Sequence, residues 1–188
     1  MTVIKTGPPG LSPEAIRRAL SMCGHLVKEG KSPSVAYAMV GTLQHKKSDS
    51  GDWIMLSVPN AIVRGCFQAM DEPGIELPPG EPLEAHISVI RPNELAAIGG
   101  PDKVTERGKQ FRYRLGGLES VAPAGWPEVS RVWMLRVYST ELQALRKSYG
   151  LPPRPQNSEF DFHISVAIRR KGVLGRNDKS KTASEPAA

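Results

Sequence analysis

The sequence predicts an α+β fold built as two similar halves around a central cleft, preceded by an N-terminal helical hairpin. Three observations predict it. A short apolar strand carrying one His and one Ser occurs twice, over residues 85–90 and 162–168, and both copies contain the string His-Ile-Ser-Val. Each copy closes a similar run of elements: strand, helix, turn, His-bearing strand. Ahead of both runs, residues 12–45 hold two stretches with helical start signals and apolar residues at helical spacing.

In the hairpin, Ser12 caps a helix that Pro13 opens, and Ile16, Ala19, Leu20, Cys23 and Val27 recur on one face until Gly30. Ser32-Pro33 repeats the start signal, and Val35, Ala36, Met39 and Leu43 predict a second helix running into a polar loop at 46–51. Two apolar stripes must pack on something, so the hairpin is expected to dock on the rest of the chain or to form a homo-oligomer.

The first half begins with the apolar run 53–58, a strand. Pro59 then opens a helix with Ile62, Val63, Cys66, Phe67 and Met70 on one face, ended by Glu72-Pro73-Gly74. Pro78-Pro79-Gly80 turns the chain into the strand that carries His86. Arg91-Pro92 breaks that strand, and 93–98 is a short helix stopped by Gly99-Gly100. The second half begins after a polar loop at 101–109. Phe111, Tyr113 and Leu115 alternate with Gln110, Arg112 and Arg114 in a half-exposed strand that Gly116-Gly117 is expected to turn. Residues 132–137 form the next apolar strand. Thr140 and Gln143 make a capping box for a helix with Leu142, Leu145 and Tyr149, and the last strand carries His163. These boundaries divide the chain into 1–51, 52–171 and a polar tail, 172–188, expected to be disordered.

Composition bounds the function. With 39% hydrophobic and 23% charged residues, no apolar run of membrane-spanning length and no apolar leader in residues 1–10, the chain reads as a soluble globular protein. Cys23 and Cys66 are too few for a disulfide framework, so a reducing cytoplasm is expected. The formal net charge of +6 favours anionic partners such as nucleotides or nucleic acid, although much of the excess lies at or beyond Arg169.

The chemistry follows from the pleat. Alternate side chains of a strand point to opposite faces, so each copy presents its His and Ser side by side, and the apolar residues between them face the other way. Two imidazoles of near-neutral pKa can divide proton transfer, one accepting while the other donates. This predicts a bell-shaped pH dependence centred near neutrality. The candidate catalytic residues are His86, Ser88, His163 and Ser165. Arg169, six residues after His163, falls on the same face by alternation and is a candidate phosphate ligand. Tyr113 and Trp133 are candidate base-stacking aromatics. Each also has a bland reading: two hydrogen-bonded core histidines, a solvated strand end at Arg169, and packing for both aromatics. No cofactor is expected. A zinc site on His86 and His163 lacks a third ligand at motif spacing, and His25 and His45 are assigned no role.

The motifs His86-Ile87-Ser88 and His163-Ile164-Ser165 resemble those of the 2H phosphoesterase superfamily, over roughly residues 52–171. The strand-Pro-helix at 53–70 looks like its opening lobe, and Leu142-Gln-Ala-Leu-Arg146 followed by Phe160-Asp-Phe-His looks like the approach to its second motif. The resemblance implies a bilobal fold around a cleft and metal-independent chemistry at phosphodiesters. The implied substrates are RNA ends with 2′,3′-cyclic phosphates or 2′-5′ links, or cyclic oligonucleotides. One His would activate water or a ribose hydroxyl, the other would protonate the departing oxygen, and Ser88 and Ser165 would bond the non-bridging oxygens. A bacteriophage branch resembling this pattern degrades the cyclic oligonucleotide messengers of CBASS defence. Residues 28–41 likewise resemble a helical segment of phage-encoded proteins, which would place the chain in a host cytoplasm. A nucleotide- or RNA-binding module that does not turn over is the alternative.

Overall fold

Met39, Gly41 and Leu43 alternate with Val40, Thr42 and Gln44, and this period of two, with β-branched residues between, makes Tyr37–Ser48 a strand. It is the middle of the fold. The computed structural model describes residues 27–28, 37–48, 51–70, 72–80, 82–124, 126–155 and 162–172. In chain order these form β1 (Val27–Lys28), β2 (Tyr37–Ser48), β3 (Gly51–Ser57), α1 (Asn60–Ala69), β4 (His86–Ile90), α2 (Pro92–Ala97), β5 (Gln110–Val121), β6 (Val129–Tyr138), α3 (Thr140–Ser148) and β7 (Phe162–Arg170).

The strands join in one sheet of order β4-β3-β2-β5-β6-β7, with β1 also on β2, and all neighbours are antiparallel. The order reads alike from either end of the central β2–β5 pair. β4 and β7, the two ends of this path, touch each other, so the sheet curls. Glu76 extends the β7 side with a two-bond antiparallel bridge to Ile168, each N···O distance being 2.9 Å.

One face of the sheet is the core. Residues opposite in register share a face, and Leu43–Leu56–Ile87, Met39–Tyr113, Leu135–Ile164 and Val137–Phe162 all fall on the buried side. α1 covers this face with Ile62, Val63 and Cys66, and α3 covers it with Leu142 and Leu145. A smaller cluster of Val121, Val129, Val132, Met134 and Ile168 lies apart from it.

Several expectations change. The second helix of the hairpin is a strand over its described part: Met39 and Leu43, four apart, fit a helical stripe, but they lie two steps along β2 with Gly41 between them. A Cβ on Gly41 would lie 2.6 Å from the Ser57 carbonyl oxygen and 2.7 Å from Leu56 Cγ, so the absent side chain that blanks the alternation is what lets β2 and β3 approach. Met39 and Leu43 therefore pack into the core, and β2 lies inside the sheet rather than in an extension. The end of the first expected helix is also a strand, since Val27–Lys28 form β1 on β2; the rest of that helix and the expected disordered tail beyond Gly172 lie outside the described residues. Gly116-Gly117 is a bulge inside β5 rather than a turn, with the register shifting between Leu115 and Leu118. A Cβ on Gly116 would lie 2.7 Å from the Tyr138 ring. The cap of α3 is Ser139, not Thr140: its Oγ accepts from Leu142 N at 3.1 Å and donates to Arg112 O at 2.6 Å.

The two halves are tied by a buried guanidinium. Arg146 of α3 is fully buried and forks onto Glu94 of α2, with Nη–O distances of 3.0 and 2.6 Å. It also donates to the carbonyls of Val89 at 2.6 Å, Pro152 at 2.7 Å and Arg154 at 2.8 Å, which satisfies all five of its N–H groups. Removing one partner of such a pair strands a buried charge. Arg146→Ala is therefore expected to lose about 3–5 kcal/mol in urea unfolding, and Arg146→Lys, with no fork, most of that. Near wild-type stability in both would show that the pair does not hold the halves.

Candidate active site

The face of the sheet opposite the core is polar, and the register traces it from one histidine to the other. His86 stands beside Ser57, Ser57 beside Thr42, and Thr42 beside Gln110. Arg114 shares the face of Gln110 on β5 and stands beside Tyr138, and Arg136, two residues before Tyr138, stands beside His163. Ser88 joins this face opposite Met55, and Ser165 joins it opposite Met134. The four sequence-predicted catalytic residues thus share one face of one sheet, on its two end strands.

Local structure fixes His86. Asn60, at the start of α1, donates to Leu83 O at 2.6 Å and accepts from Ala85 N at 2.7 Å, and Val58 N donates to Ala85 O at 3.0 Å. The chain entering β4 is pinned on both sides. His86 Nδ1 lies 2.8 Å from Glu84 O. A carbonyl only accepts, so Nδ1 carries the hydrogen and Nε2 is left to exchange protons with a ligand.

Both imidazoles are held below the ordinary histidine value. His86 lies below the ordinary histidine value because burial strips water from the ring and because Lys46 is near. His163 is pushed down to about 4, first by burial, then by the Arg91 guanidinium, then by His86 itself. His86 therefore takes up its proton at the higher pH and, once charged, holds His163 down. Arg136, beside His163, is ion-paired with Glu119 at 2.8 Å.

A cavity of about 500 Å³ opens beside His86, lined by Lys46, Trp53, Met55, Glu84, His86 and Ser165 together with the proline-rich 78–83 loop. His86 and Ser165 thus meet at one cavity although they belong to opposite ends of the strand path. His163 and Ser88, both half-buried, are on the same face but do not line it. Lys46 is ion-paired with Glu84 at its rim.

The three expected substrate contacts are not on this face. Tyr113 and Trp133 are 1% and 2% exposed and belong to the core. Arg169 is turned away by a bulge: β6 pairs Met134 with Ser165 and then Trp133 with Ala167, so Val166 is extra and the alternation inverts after it. The guanidinium lies 5.2 Å from the Trp133 ring centre and is bonded to Glu72 at 2.6 Å and Pro73 O at 2.9 Å. Lys46 and Trp53 line the cavity instead, and Arg91 lies near enough to His163 to lower its pKa. Lys46 continues the alternation Val40, Thr42, Gln44, a signal hidden by the helical reading of the same segment. His45 faces away and pairs with Asp52 at 3.4 Å.

The family described as the Swiss Army Knife 2H phosphoesterase domain matches residues 54–174, from within β3 past the end of β7 and across both His-Ile-Ser motifs. The chain belongs to this 2H phosphoesterase family, and the domain carries a phosphodiester-hydrolysing function in general. No curated protein and no solved structure matches the chain. Among the described residues no helix is long and apolar enough to cross a membrane.

The pKa order moves the expected pH optimum. The dyad holds a single proton only between about 4 and the lowered value of His86. Below that window both rings are charged and neither can accept a proton; above it both are neutral and neither carries an imidazolium proton to give. For kcat/KM, which reports the free enzyme, the maximum is expected below pH 6.5, the ordinary histidine value, with decline through neutrality. A bound phosphodiester anion favours the protonated rings, so the kcat profile should lie at higher pH. A kcat/KM maximum above about pH 7.5 would contradict this electrostatic picture.

Proposed function

We propose that the protein is a metal-independent phosphodiesterase acting on nucleotide phosphodiesters by two-histidine acid–base catalysis. The observation that supports this reading is that His86 and His163, from opposite ends of the strand path, stand on one polar face of strands that touch each other, with a serine two residues after each. The singly protonated dyad keeps its proton on His86, which makes His86 the acid and His163 the base. His163 takes a proton from the attacking water or ribose hydroxyl as the new P–O bond forms. His86 gives its Nε2 proton to the departing oxygen as the old P–O bond breaks. Ser88 and Ser165 donate to the non-bridging oxygens, where charge accumulates. Each turnover leaves the proton on the opposite imidazole, and solvent restores the starting state. The proposed substrates are cyclic oligonucleotide messengers such as those of CBASS defence, or RNA ends with 2′,3′-cyclic phosphates or 2′-5′ links, met in the cytoplasm of a cell or of a phage host. The strand order about the β2–β5 pair supports reading the two halves as a duplication.

His86→Ala and His163→Ala are each expected to lower turnover of dinucleotide or cyclic oligonucleotide substrates by about 10²–10⁴-fold, with circular dichroism unchanged. A p-nitrophenyl diester separates the roles, because its leaving group needs no proton: His86→Ala should lose less than about tenfold on it, while His163→Ala keeps its full defect. Equal defects of both variants on that substrate would overturn the assignment. Retained ligand affinity without turnover in the wild type would instead favour a binding module.

Turnover is also expected to survive dialysis against excess EDTA within about twofold, since no step of acid–base catalysis runs through a metal. A loss restored by added zinc would contradict the mechanism.

A further inference from the structure

We propose that the cavity beside His86 is a nucleoside pocket, which takes the base of one nucleotide flanking the scissile phosphodiester and stacks it on Trp53. The proposal rests on the phosphodiesterase reading only for the identity of the reacting phosphate. Trp53 and Met55 alternate on β3 and share the polar face with His86. Pro78, Pro79 and Pro82 line the same cavity. The lining therefore joins apolar surfaces to the Lys46–Glu84 ion pair, an imidazole and a hydroxyl, the last two from His86 and Ser165. That pairing of chemistries suits a planar heterocycle attached to an anion. An inorganic or simple alkyl phosphate would leave the indole and the proline rings uncovered.

Size and rigidity agree. The volume of about 500 Å³ lies within the usual range of small-ligand sites and leaves room for a nucleotide. Proline rings hold the backbone at fixed φ, and the strand holds Trp53, so a docking base freezes few rotors. Aromatic stacking accepts any base face, so the pocket selects for the presence of a base more than for its identity. The three prolines stand in a loop anchored by the Glu76–Ile168 bridge before them and by the Asn60 clamp on Leu83 and Ala85 after them.

The test titrates the full-length protein with adenosine 5′-monophosphate and, separately, with ribose 5-phosphate, following tryptophan emission and heats of binding. The nucleotide is expected to quench emission and to bind at least about tenfold more tightly than the sugar phosphate. Trp53→Ala should weaken nucleotide binding by about tenfold or more and leave sugar-phosphate binding unchanged, the loss of one base–aromatic stack. Trp53→Phe, a milder change to a half-buried site, should keep most of the affinity and lose the quench. Equal affinity for the two ligands, or an unchanged nucleotide affinity in Trp53→Ala, would overturn the pocket. A protein that binds the nucleotide as described but cleaves no phosphodiester would support the pocket and sink the phosphodiesterase reading. One that cleaves base-free diesters as readily as dinucleotides would sink the pocket and leave that reading standing.

Discussion

The fork between Arg146 and Glu94 is the constraint on which the arrangement of the two halves depends. A guanidinium removed from water is tolerable only where every N–H finds an acceptor, and here the acceptors come from both halves: Val89 O and Glu94 from one, Pro152 O and Arg154 O from the other. Val89 lies in the same strand as His86, and Arg146 lies in the helix between β6 and β7. Glu94 also accepts from Arg91 N at 3.0 Å. The same carboxylate thus orients the backbone of Arg91, whose charge lowers the pKa of His163. The geometry of the pair and the electrostatics of the polar face are therefore linked through one buried contact.

Curling the sheet resolves a problem of topology. His86 and His163 belong to strands separated by β3, β2, β5 and β6 along the path, and in a flat sheet they would lie far apart. The contact between β4 and β7, the segment bridged to Ile168 and the buried pair behind them bring the ends together. Each half supplies one imidazole and one hydroxyl, so neither half alone holds the constellation. Burial then separates the two titrations, and a shared proton acquires a preferred site.

Much of this was legible in the sequence where local signals were unambiguous. The two His-strands announce themselves through alternation, α1 and α3 through apolar faces and start signals, and α2 through Pro92. What was hidden had physical causes. Gly41 has no side chain to mark the core face of β2, so Met39 and Leu43 looked helical, and with β2 went Lys46 on the rim of the cavity. An extra residue at Val166 reverses the pleat, and extrapolation from His163 therefore put Arg169 on the wrong face. Tyr113 and Trp133 are strand aromatics whose surroundings depend on partners distant in sequence, and both went into the core. Trp53, in a run that read as uniformly apolar, reached the polar face instead.

The central claim is that the curled sheet brings His86 near enough to His163 for the charge of one to be felt by the other. Titration of the imidazole resonances by NMR tests it most directly, in the wild type and in His86→Gln. The account predicts a wild-type midpoint for His163 near 4, a His86 midpoint below the ordinary histidine value, and an upward shift of the His163 midpoint when His86 is replaced. Two independent midpoints at the ordinary histidine value of 6.5, with His163 unmoved by the substitution, would contradict it.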